Sequence, residues 1–251
     1  MRFPSVAVHL SFMLALMMAL LGAAQGAQLL PDGLLHAPQG MSGSLGAGLA
    51  HWSGSAGTLS LLSGRGTYVY QPNWMAGGAM EVMSSRPADS SLFSSSKIGL
   101  LVHGILGDTA GASGVVSGEL TWWTQNIYRD TGSKAIEQIN SGLELQLGIG
   151  LAGLGTRHFQ SAVGVHAGLR LPVSGEGTGE IEPLVGADIA FLWDFEGLWP
   201  GVGSLRRNMG LYVRIPLEWS ILRPDPSTAT MRVFSAPQWT AAVHAGLTIA
   251  L

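Results

Sequence analysis

Apolar and polar residues alternate along several stretches of this chain, and the longest alternation runs from Asn208 to Ile221. Every odd position in it is apolar, whereas the even positions are polar, small or amphipathic. A helix turns by about 100° per residue and cannot keep two such sets apart, but successive side chains of a β-strand point to opposite faces. The alternation therefore predicts a strand with one apolar face and one polar face.

The same period of two recurs along the chain after residue 40. Clear strands are predicted at 143–151, 160–171, 180–193 and 239–251, and weaker ones at 41–52, 58–70, 76–85, 96–106 and 113–129. Together with 208–221 these segments make about ten strands, an even number, as single-chain bacterial membrane barrels have. The stretch 76–85 has the weakest pattern, and about eight strands is the alternative if it belongs to a loop.

The second face of these strands differs from the solvated face of an ordinary sheet. It is rich in glycine and alanine with scattered charges, in a chain that has 36 glycines and only 12% charged residues. The whole chain has only two lysines, Lys97 and Lys134. A narrow barrel lumen filled by side chains needs such a mixture, whereas a soluble β-sandwich turns its apolar face inward and its polar face to water.

Aromatic residues fall at the ends of the predicted strands. Trp219 ends one strand and Trp239 begins the next, while Tyr70 and Trp193 lie at the other end of their strands. Two aromatic girdles are expected of a transmembrane barrel. The pattern therefore predicts an all-β chain that forms a single antiparallel transmembrane β-barrel, with a soluble secreted β protein as the alternative.

The first 27 residues have the features of a signal peptide. Arg2 supplies a positive start, residues 6–22 form an apolar stretch, and small residues between Ala24 and Ala27 offer cleavage sites. An uncleaved membrane anchor is the alternative, but the apolar run is short for a helical span of about 20 residues. We therefore expect residues 1–27 to be removed after export.

The mature chain divides into a short leader and the barrel. Residues 28–39 contain Pro31 and Pro38 and show no alternation, so we interpret them as a periplasmic lead-in. Residues 40–251 carry the strands and form one domain. The absence of cysteine excludes a disulfide framework.

The mature chain resembles the small outer-membrane β-barrels of Gram-negative bacteria, such as the opacity-protein and OmpA-type barrels. The resemblance covers 40–251 and is one of pattern, without a diagnostic motif. The chain ends in Leu251, whereas such barrels usually end in Phe or Trp. The resemblance implies a location in the cell outer membrane, contact with its lipids, and passage through periplasmic chaperones and the barrel-assembly machinery.

Charged and histidine side chains on the polar face should meet inside the barrel. We expect a polar network in the lumen, formed by Glu119, Glu144, His166, Arg170, Asp188, Arg214, Glu218 and His244. Buried charges must be paired. The strand order places Arg170 one strand from both Glu144 and Asp188, and it places Arg214 one strand from Asp188. A packed network of ion pairs is the first interpretation, and a pathway for ions or small solutes is the second.

Several kinds of chemistry lack support in the sequence. A formal charge of −3 without a basic run gives no electrostatic footprint for nucleic acid. Glu180 and Glu182 share a strand face, but two acids at a rim do not make a metal site, and no cofactor motif is present. Neither His166 nor His244 has an inward serine that the pattern places beside it, as a hydrolase would need.

The sequence thus predicts a protein that is not an enzyme. Its role is structural or is carried by extracellular loops. A narrow or gated channel for small solutes is the alternative. It ranks below the structural role because barrels of about eight to ten strands are largely filled by side chains. A membrane-embedded lipid-modifying enzyme is the second alternative. Whether the chain forms oligomers cannot be read from the pattern.

Overall fold

The computed structural model of the chain is a closed barrel of ten antiparallel strands. It describes residues 28–36, 40–52, 57–85, 92–107, 112–130, 135–156, 158–175, 181–195, 209–221 and 239–251. The predicted signal peptide lies outside these residues. No helix formed by the described residues is long and apolar enough to cross a membrane.

Two short strands precede the ten that form the barrel. The short pair is β1 (Gln28–Leu29) and β2 (Leu35–His36). The barrel strands are β3 (Gly40–Trp52), β4 (Gly57–Gln71), β5 (Trp74–Ser85), β6 (Leu92–Leu106), β7 (Ser113–Asp130), β8 (Ala135–Gly155), β9 (Phe159–Ser174), β10 (Glu182–Asp194), β11 (Met209–Ser220) and β12 (Trp239–Ala250).

Each barrel strand pairs with the next in the chain, and β12 pairs with β3 to close the sheet. At the seam, the backbone N–H of Met41 donates to the carbonyl of Leu251 at 2.9 Å, and the N–H of Leu251 donates to Met41 at 2.6 Å. The weakest predicted strand is present as β5, which pairs with both β4 and β6. The ten-strand prediction is therefore confirmed and the eight-strand alternative is wrong.

The barrel has two ends, which we name by their connections. The terminal end carries residues 40 and 251, the turn at 72–73, and the strand ends Leu106, Ser113, Gly155, Phe159, Asp194 and Met209. The loop end carries the opposite strand ends, namely Trp52, Gly57, Ser85, Leu92, Asp130, Ala135, Ser174, Glu182, Ser220 and Trp239. Successive strands run in opposite directions between these two ends, as the sequence pattern predicts for a chain of hairpins.

The outer wall is apolar and the inner wall is largely polar. On β8, Leu147 and Ile149 point outward and are 63% and 64% exposed, and Leu100 on β6 is 67% exposed. Their neighbours in the chain point inward, and Glu144 and Arg170 are only 2% and 6% exposed. The two faces of each strand thus have the opposite arrangement to a soluble sandwich, whose apolar side chains meet inside.

Residues 28–36 lie inside the barrel at its terminal end, and we call them the plug. Their leucines are fully buried or nearly so: Leu29, Leu30 and Leu34 are 0% exposed and Leu35 is 2% exposed. The turn between β1 and β2 uses Gly33 with a φ of 81°, a backbone conformation that glycine adopts without strain. A Cβ at Gly33 would lie 2.8 Å from the Tyr212 ring.

The sequence pattern predicts a periplasmic lead-in at 28–39, and the structure places residues 28–36 of this segment inside the barrel at the terminal end. The inner wall at the terminal end carries several apolar side chains, and the plug leucines form one buried cluster with Val69, Met75, Leu101, Ile105, Val115 and Leu192. Burying a leucine side chain is worth about 1.5–3 kcal/mol relative to leaving it in water. The plug leucines and the apolar side chains of the inner wall would each face water in an empty lumen, and here they bury each other. Residues 37–39 lie outside the described residues.

Candidate functional site in the barrel lumen

A cavity of about 100 Å³ lies in the half of the lumen nearer the loop end, and we call it the outer cavity. Four acidic and four basic side chains line it: Arg65, Glu81, Lys97, Glu119, Glu144, Arg170, Arg214 and Glu218. A smaller cavity of about 50 Å³ lies against Pro31 and Asp32 of the plug. All the predicted lumen residues except His244 line one or both of these cavities.

Arg170 is the centre of the first group of ion pairs. Its Nε and Nη2 donate to Glu144 Oε2 at 2.8 and 2.6 Å, and Nη2 also donates to Glu218 Oε1 at 3.1 Å. Lys97 Nζ lies 2.9 Å from Glu144 Oε1 and 3.7 Å from Glu218 Oε2. Gln146 Nε2 donates to the same two carboxylates at 2.8 and 3.2 Å. We call these five residues the Arg170 cluster.

The Arg170 cluster reaches from one wall of the lumen to the opposite wall. Lys97 is on β6 and Glu218 is on β11, and five steps around the ten-strand barrel separate these strands in either direction. Arg170 also lies with its guanidinium carbon 5.6 Å from the centre of the Trp123 ring, a cation–π distance. The cluster therefore braces the barrel across its diameter.

Arg214 forms a second group with Asp188 and His166. Its Nε and Nη2 lie 2.8 and 2.6 Å from Asp188 Oδ1, and His166 Nδ1 lies 3.3 Å from Asp188 Oδ2. The sequence pattern places Asp188 one strand from Arg214, as found here, and also one strand from Arg170. The structure does not bring Arg170 to Asp188, because Asp188 lies opposite Gly164 on β9, six residues before Arg170 in the chain.

Arg65 connects the barrel wall to the plug. Its Nη1 lies 3.5 Å from Asp32 Oδ2 and 3.3 Å from Glu119 Oε2, and His103 Nε2 lies 2.8 Å from Asp32 Oδ2. Burial alone would raise the pKa of the Asp32 carboxyl, but the attraction of His103 and Arg65 holds that pKa well below its usual value. Asp32 is therefore a charged anchor that fixes the plug to β4 and β6.

His244 occupies a buried site on β12. Its Nδ1 lies 3.0 Å from the hydroxyl of Ser63 on β4, and its ring stands edge-on to Tyr212 at 5.7 Å between ring centres. The sequence analysis had placed no inward serine beside this histidine, so Ser63 corrects it. Among the described residues no carboxylate contacts the second ring nitrogen, and His244 and Ser63 are 2% and 4% exposed. The pair lacks the orienting acid and the access that a nucleophile needs.

The structure thus divides the predicted lumen residues among several contacts. Glu144, Arg170 and Glu218 share the Arg170 cluster. Asp188, His166 and Arg214 form the second group. Glu119 binds Arg65, and His244 contacts Ser63.

Sequence reasoning missed several lumen residues that the structure places in these groups. They are Asp32, Ser63, Arg65, Glu81, Lys97 and His103. Arg65, Glu81 and Lys97 lie on strands whose alternation is weak. Their charge was itself a usable signal. A charge in the middle of a membrane-spanning strand is costly unless it faces the lumen, so each of these residues could have been assigned to the inner face.

The four residues of the predicted aromatic girdles lie exposed on the outer wall, at two levels. Trp219 and Trp239 are opposite each other on β11 and β12 at the loop end. Tyr70 on β4 and Trp193 on β10 lie at the terminal end. Phe159 extends the second level, with its ring centre 5.1 Å from that of Trp193. Two aromatic levels therefore bound the apolar wall.

The part of the chain that the structure describes contains no group of three or more histidine or acidic side chains that could hold a metal ion. Glu182, one of the two acids considered for such a site, lies 3.7 Å from Arg170. The other, Glu180, lies outside the described residues.

No protein-family profile matches the chain, and no curated protein matches it. The fold is similar to the translocator domain of the autotransporter NalP from Neisseria meningitidis, with 11% identity, a TM-score of 0.48, and coverage of 98% of this chain and 97% of that one. It is also similar to the N-terminal β-barrel domain of Pseudomonas aeruginosa OprF, with 13% identity, a TM-score of 0.35, and coverage of 83% and 97%.

A third similar structure is the β domain of the Bordetella autotransporter BrkA, with 13% identity, a TM-score of 0.44, and coverage of 85% of this chain and 100% of that one. TM-scores at this level carry no argument about function. The assignment of this chain to the closed antiparallel β-barrels rests on its own strand pairing.

Proposed function

We propose that this chain is an integral outer-membrane β-barrel protein with a closed lumen, and that its role is structural or is carried by its extracellular loops. The observation that supports this most directly is the ion-paired cluster that crosses the lumen between Lys97 and Glu218. Together with the plug, it fills a barrel whose outer wall is apolar. A filled barrel with a lipid-compatible wall is suited to an anchor or scaffold in a membrane.

The membrane assignment rests on the chemistry of the outer wall. Large apolar side chains on all ten strands are exposed, among them Leu45, Leu62, Met80, Leu100, Leu120, Leu147, Val165, Val185, Leu211 and Val243. Soluble monomers rarely expose contiguous apolar patches larger than a few hundred Å². Lipid is the solvent that stabilises such a wall, and the sheet has no open edge whose backbone groups would remain unpaired in it.

The outer membrane of a Gram-negative cell is the membrane that suits this barrel and the predicted signal peptide. The terminal end would then face the periplasm and the loop end the outside. Outer-membrane lipids are the expected partners of the wall. Periplasmic chaperones and the barrel-assembly machinery are the partners expected during biogenesis.

Membrane integration is tested by expressing the full chain in a Gram-negative host and extracting the membranes with carbonate and urea. We expect the mature protein to stay in the outer-membrane fraction. It should also run with a different mobility on a gel when it is not heated, because a folded barrel resists detergent. A folded protein that remains soluble in water without detergent would contradict the proposal.

A gated channel is the second candidate, and the plug is the observation that favours it. The plug is a separate segment next to the lumen wall, and polar contacts at Gln28, Leu29 and Asp32 hold it there. Gln28 Nε2 donates to Ser113 Oγ at 3.3 Å, Gln160 Oε1 accepts from the N–H of Leu29 at 2.8 Å, and Asp32 contacts Arg65 and His103. Ion conductance with and without residues 28–36 distinguishes this candidate from the closed barrel.

A further inference from the structure

Among the described residues, carboxylates outnumber arginines and lysines in the lumen between the plug and the loop end. Seven acids lie there, namely Asp32, Glu81, Glu119, Glu144, Glu182, Asp188 and Glu218, against four bases, Arg65, Lys97, Arg170 and Arg214. A buried carboxylate is costly unless a cation or hydrogen-bond donors accompany it. In the outer cavity itself the described residues provide four acids and four bases, and each of these bases already contacts a carboxylate other than Glu81.

Glu81 is the acid that its neighbours leave unpaired. No ion pair or hydrogen bond joins its carboxylate to another of the described residues, although it lines the outer cavity. Lys97 lies directly opposite Glu81 on the neighbouring strand. The Lys97 ammonium nevertheless points to Glu144, 2.9 Å away, and to Glu218. The cation opposite Glu81 is thus already committed to two other carboxylates. Arg65 and Arg214, which also attract Glu81, contact Glu119 and Asp188 instead.

The outer cavity beside Glu81 suits an organic cation better than a metal ion. A metal ion needs several convergent ligands, and the described residues provide no group of three. A space of about 100 Å³ also exceeds what a bare ion fills. Leu61, Met83 and Ala242 line the same cavity and belong to one apolar cluster. A carboxylate next to an apolar wall matches an ammonium group on a short alkyl chain.

We propose that the outer cavity binds a small primary alkylammonium compound, whose nitrogen pairs with Glu81 and whose alkyl chain packs against Leu61, Met83 and Ala242. The three N–H donors of a primary ammonium form charge-assisted hydrogen bonds with a carboxylate. With this site, the barrel would bind a specific ligand although its lumen is closed to free diffusion. It does not depend on the barrel being a channel or on the function of the loops.

The test is isothermal titration calorimetry of the full mature protein in detergent micelles, with butylammonium chloride as the probe. We expect one binding site in the native protein, and binding at least about tenfold weaker in Glu81→Gln, because a hydrogen bond between charged groups is lost. Butanol and sodium butyrate have the same chain without the positive charge and should not bind. Asp194→Asn, which removes a carboxylate that pairs with His158 at the terminal end, should bind like the native protein.

Folding of each variant is verified by its gel mobility without heating. If Glu81→Gln does not fold, Thr240→Phe replaces it, because Thr240 lines the outer cavity and phenylalanine narrows that cavity without changing its charge. Loss of butylammonium binding in either folded variant supports the site. The proposal is overturned if the native protein does not bind butylammonium, if the folded variant binds it equally well, or if butanol or butyrate binds as tightly.

Discussion

Arg170 is the side chain on which most of the charged lumen depends. It contacts Glu144 at 2.6 Å and Glu218 at 3.1 Å, and it is 6% exposed. Removing one partner of a buried ion pair typically costs about 3–5 kcal/mol, because the other charge stays buried. Lys97 keeps contact with both carboxylates, so we expect Arg170→Ala to lose part of that free energy. The measurement is the urea midpoint of unfolding in detergent or bilayers.

Arg170→Lys is the matched control for this prediction. Lysine keeps the positive charge but cannot reproduce the forked donors that hold Glu144 and Glu218 together. Its urea midpoint should therefore fall between those of the native protein and Arg170→Ala. An Arg170→Ala midpoint equal to the native one would show that the Arg170 cluster adds nothing to stability.

Two neighbouring residues on β8 test which face of the barrel meets lipid. Leu147 is the middle one of the outward apolar residues of this strand and is 63% exposed, whereas Gln146 points into the lumen and donates to Glu144 and Glu218. An arginine on the lipid face near the midplane costs about 2–4 kcal/mol. We expect Leu147→Arg to reduce folding into bilayers, measured by the fraction with folded gel mobility.

Gln146→Arg is the control for the other face. It places the same side chain one residue away, beside two carboxylates that can pair with it, so its folded fraction should stay close to the native value. Equal damage by both substitutions would contradict the assignment of faces.

The sequence alone predicted these faces, since strict alternation fixes them. It placed Asp188 one strand from both Arg170 and Arg214 and did not decide between them, because partners depend on strand register, which a period of two leaves open.

The plug is the element whose contacts the sequence did not reveal. Leu34 is 0% exposed and lies in the apolar cluster of the terminal end. An aspartate there would bury an unpaired charge, so we expect Leu34→Asp to release the plug. A cysteine at Ala190 reports this, because Ala190 is a buried member of the same cluster and the chain has no other cysteine. The reagent is a water-soluble maleimide.

Labelling of Ala190→Cys should be slow in the otherwise native chain and in the conservative variant Leu34→Met. It should be fast when Leu34→Asp is added. Equal labelling rates with and without Leu34→Asp, in protein that retains its folded gel mobility, would contradict the plug. Fast labelling in the native background would contradict it as well.

A sequence signal for the plug was present but divided between distant segments. At the terminal end of β4 and β6, both faces are apolar, as Tyr68 and Val69 or Leu101 and Val102 illustrate. An apolar inner face needs an apolar cover. The leucines of 28–36 provide one, yet no local periodicity connects them with these strands. Period two predicts the wall of a barrel, and it does not predict what fills the barrel.

At the scale of the whole molecule, the lumen is closed at two levels by different chemistry. The plug closes the terminal end with buried leucines, and the Arg170 cluster crosses the other half between β6 and β11. Because each closure has its own contacts, loss of one leaves the other in place. A role as an open pore would require both to be displaced at once, which ranks a channel below an anchor or scaffold.

Planar-bilayer recording tests this double closure. We expect neither the native protein nor a variant lacking residues 28–36 to carry a steady current, because the Lys97–Glu218 contact still crosses the lumen after the plug is removed. Insertion is verified separately by protease protection of the same samples. A steady current in the native protein would contradict the closed lumen. A current in the truncated variant alone would favour the gated channel, and it should select for cations because carboxylates outnumber arginines and lysines in the lumen.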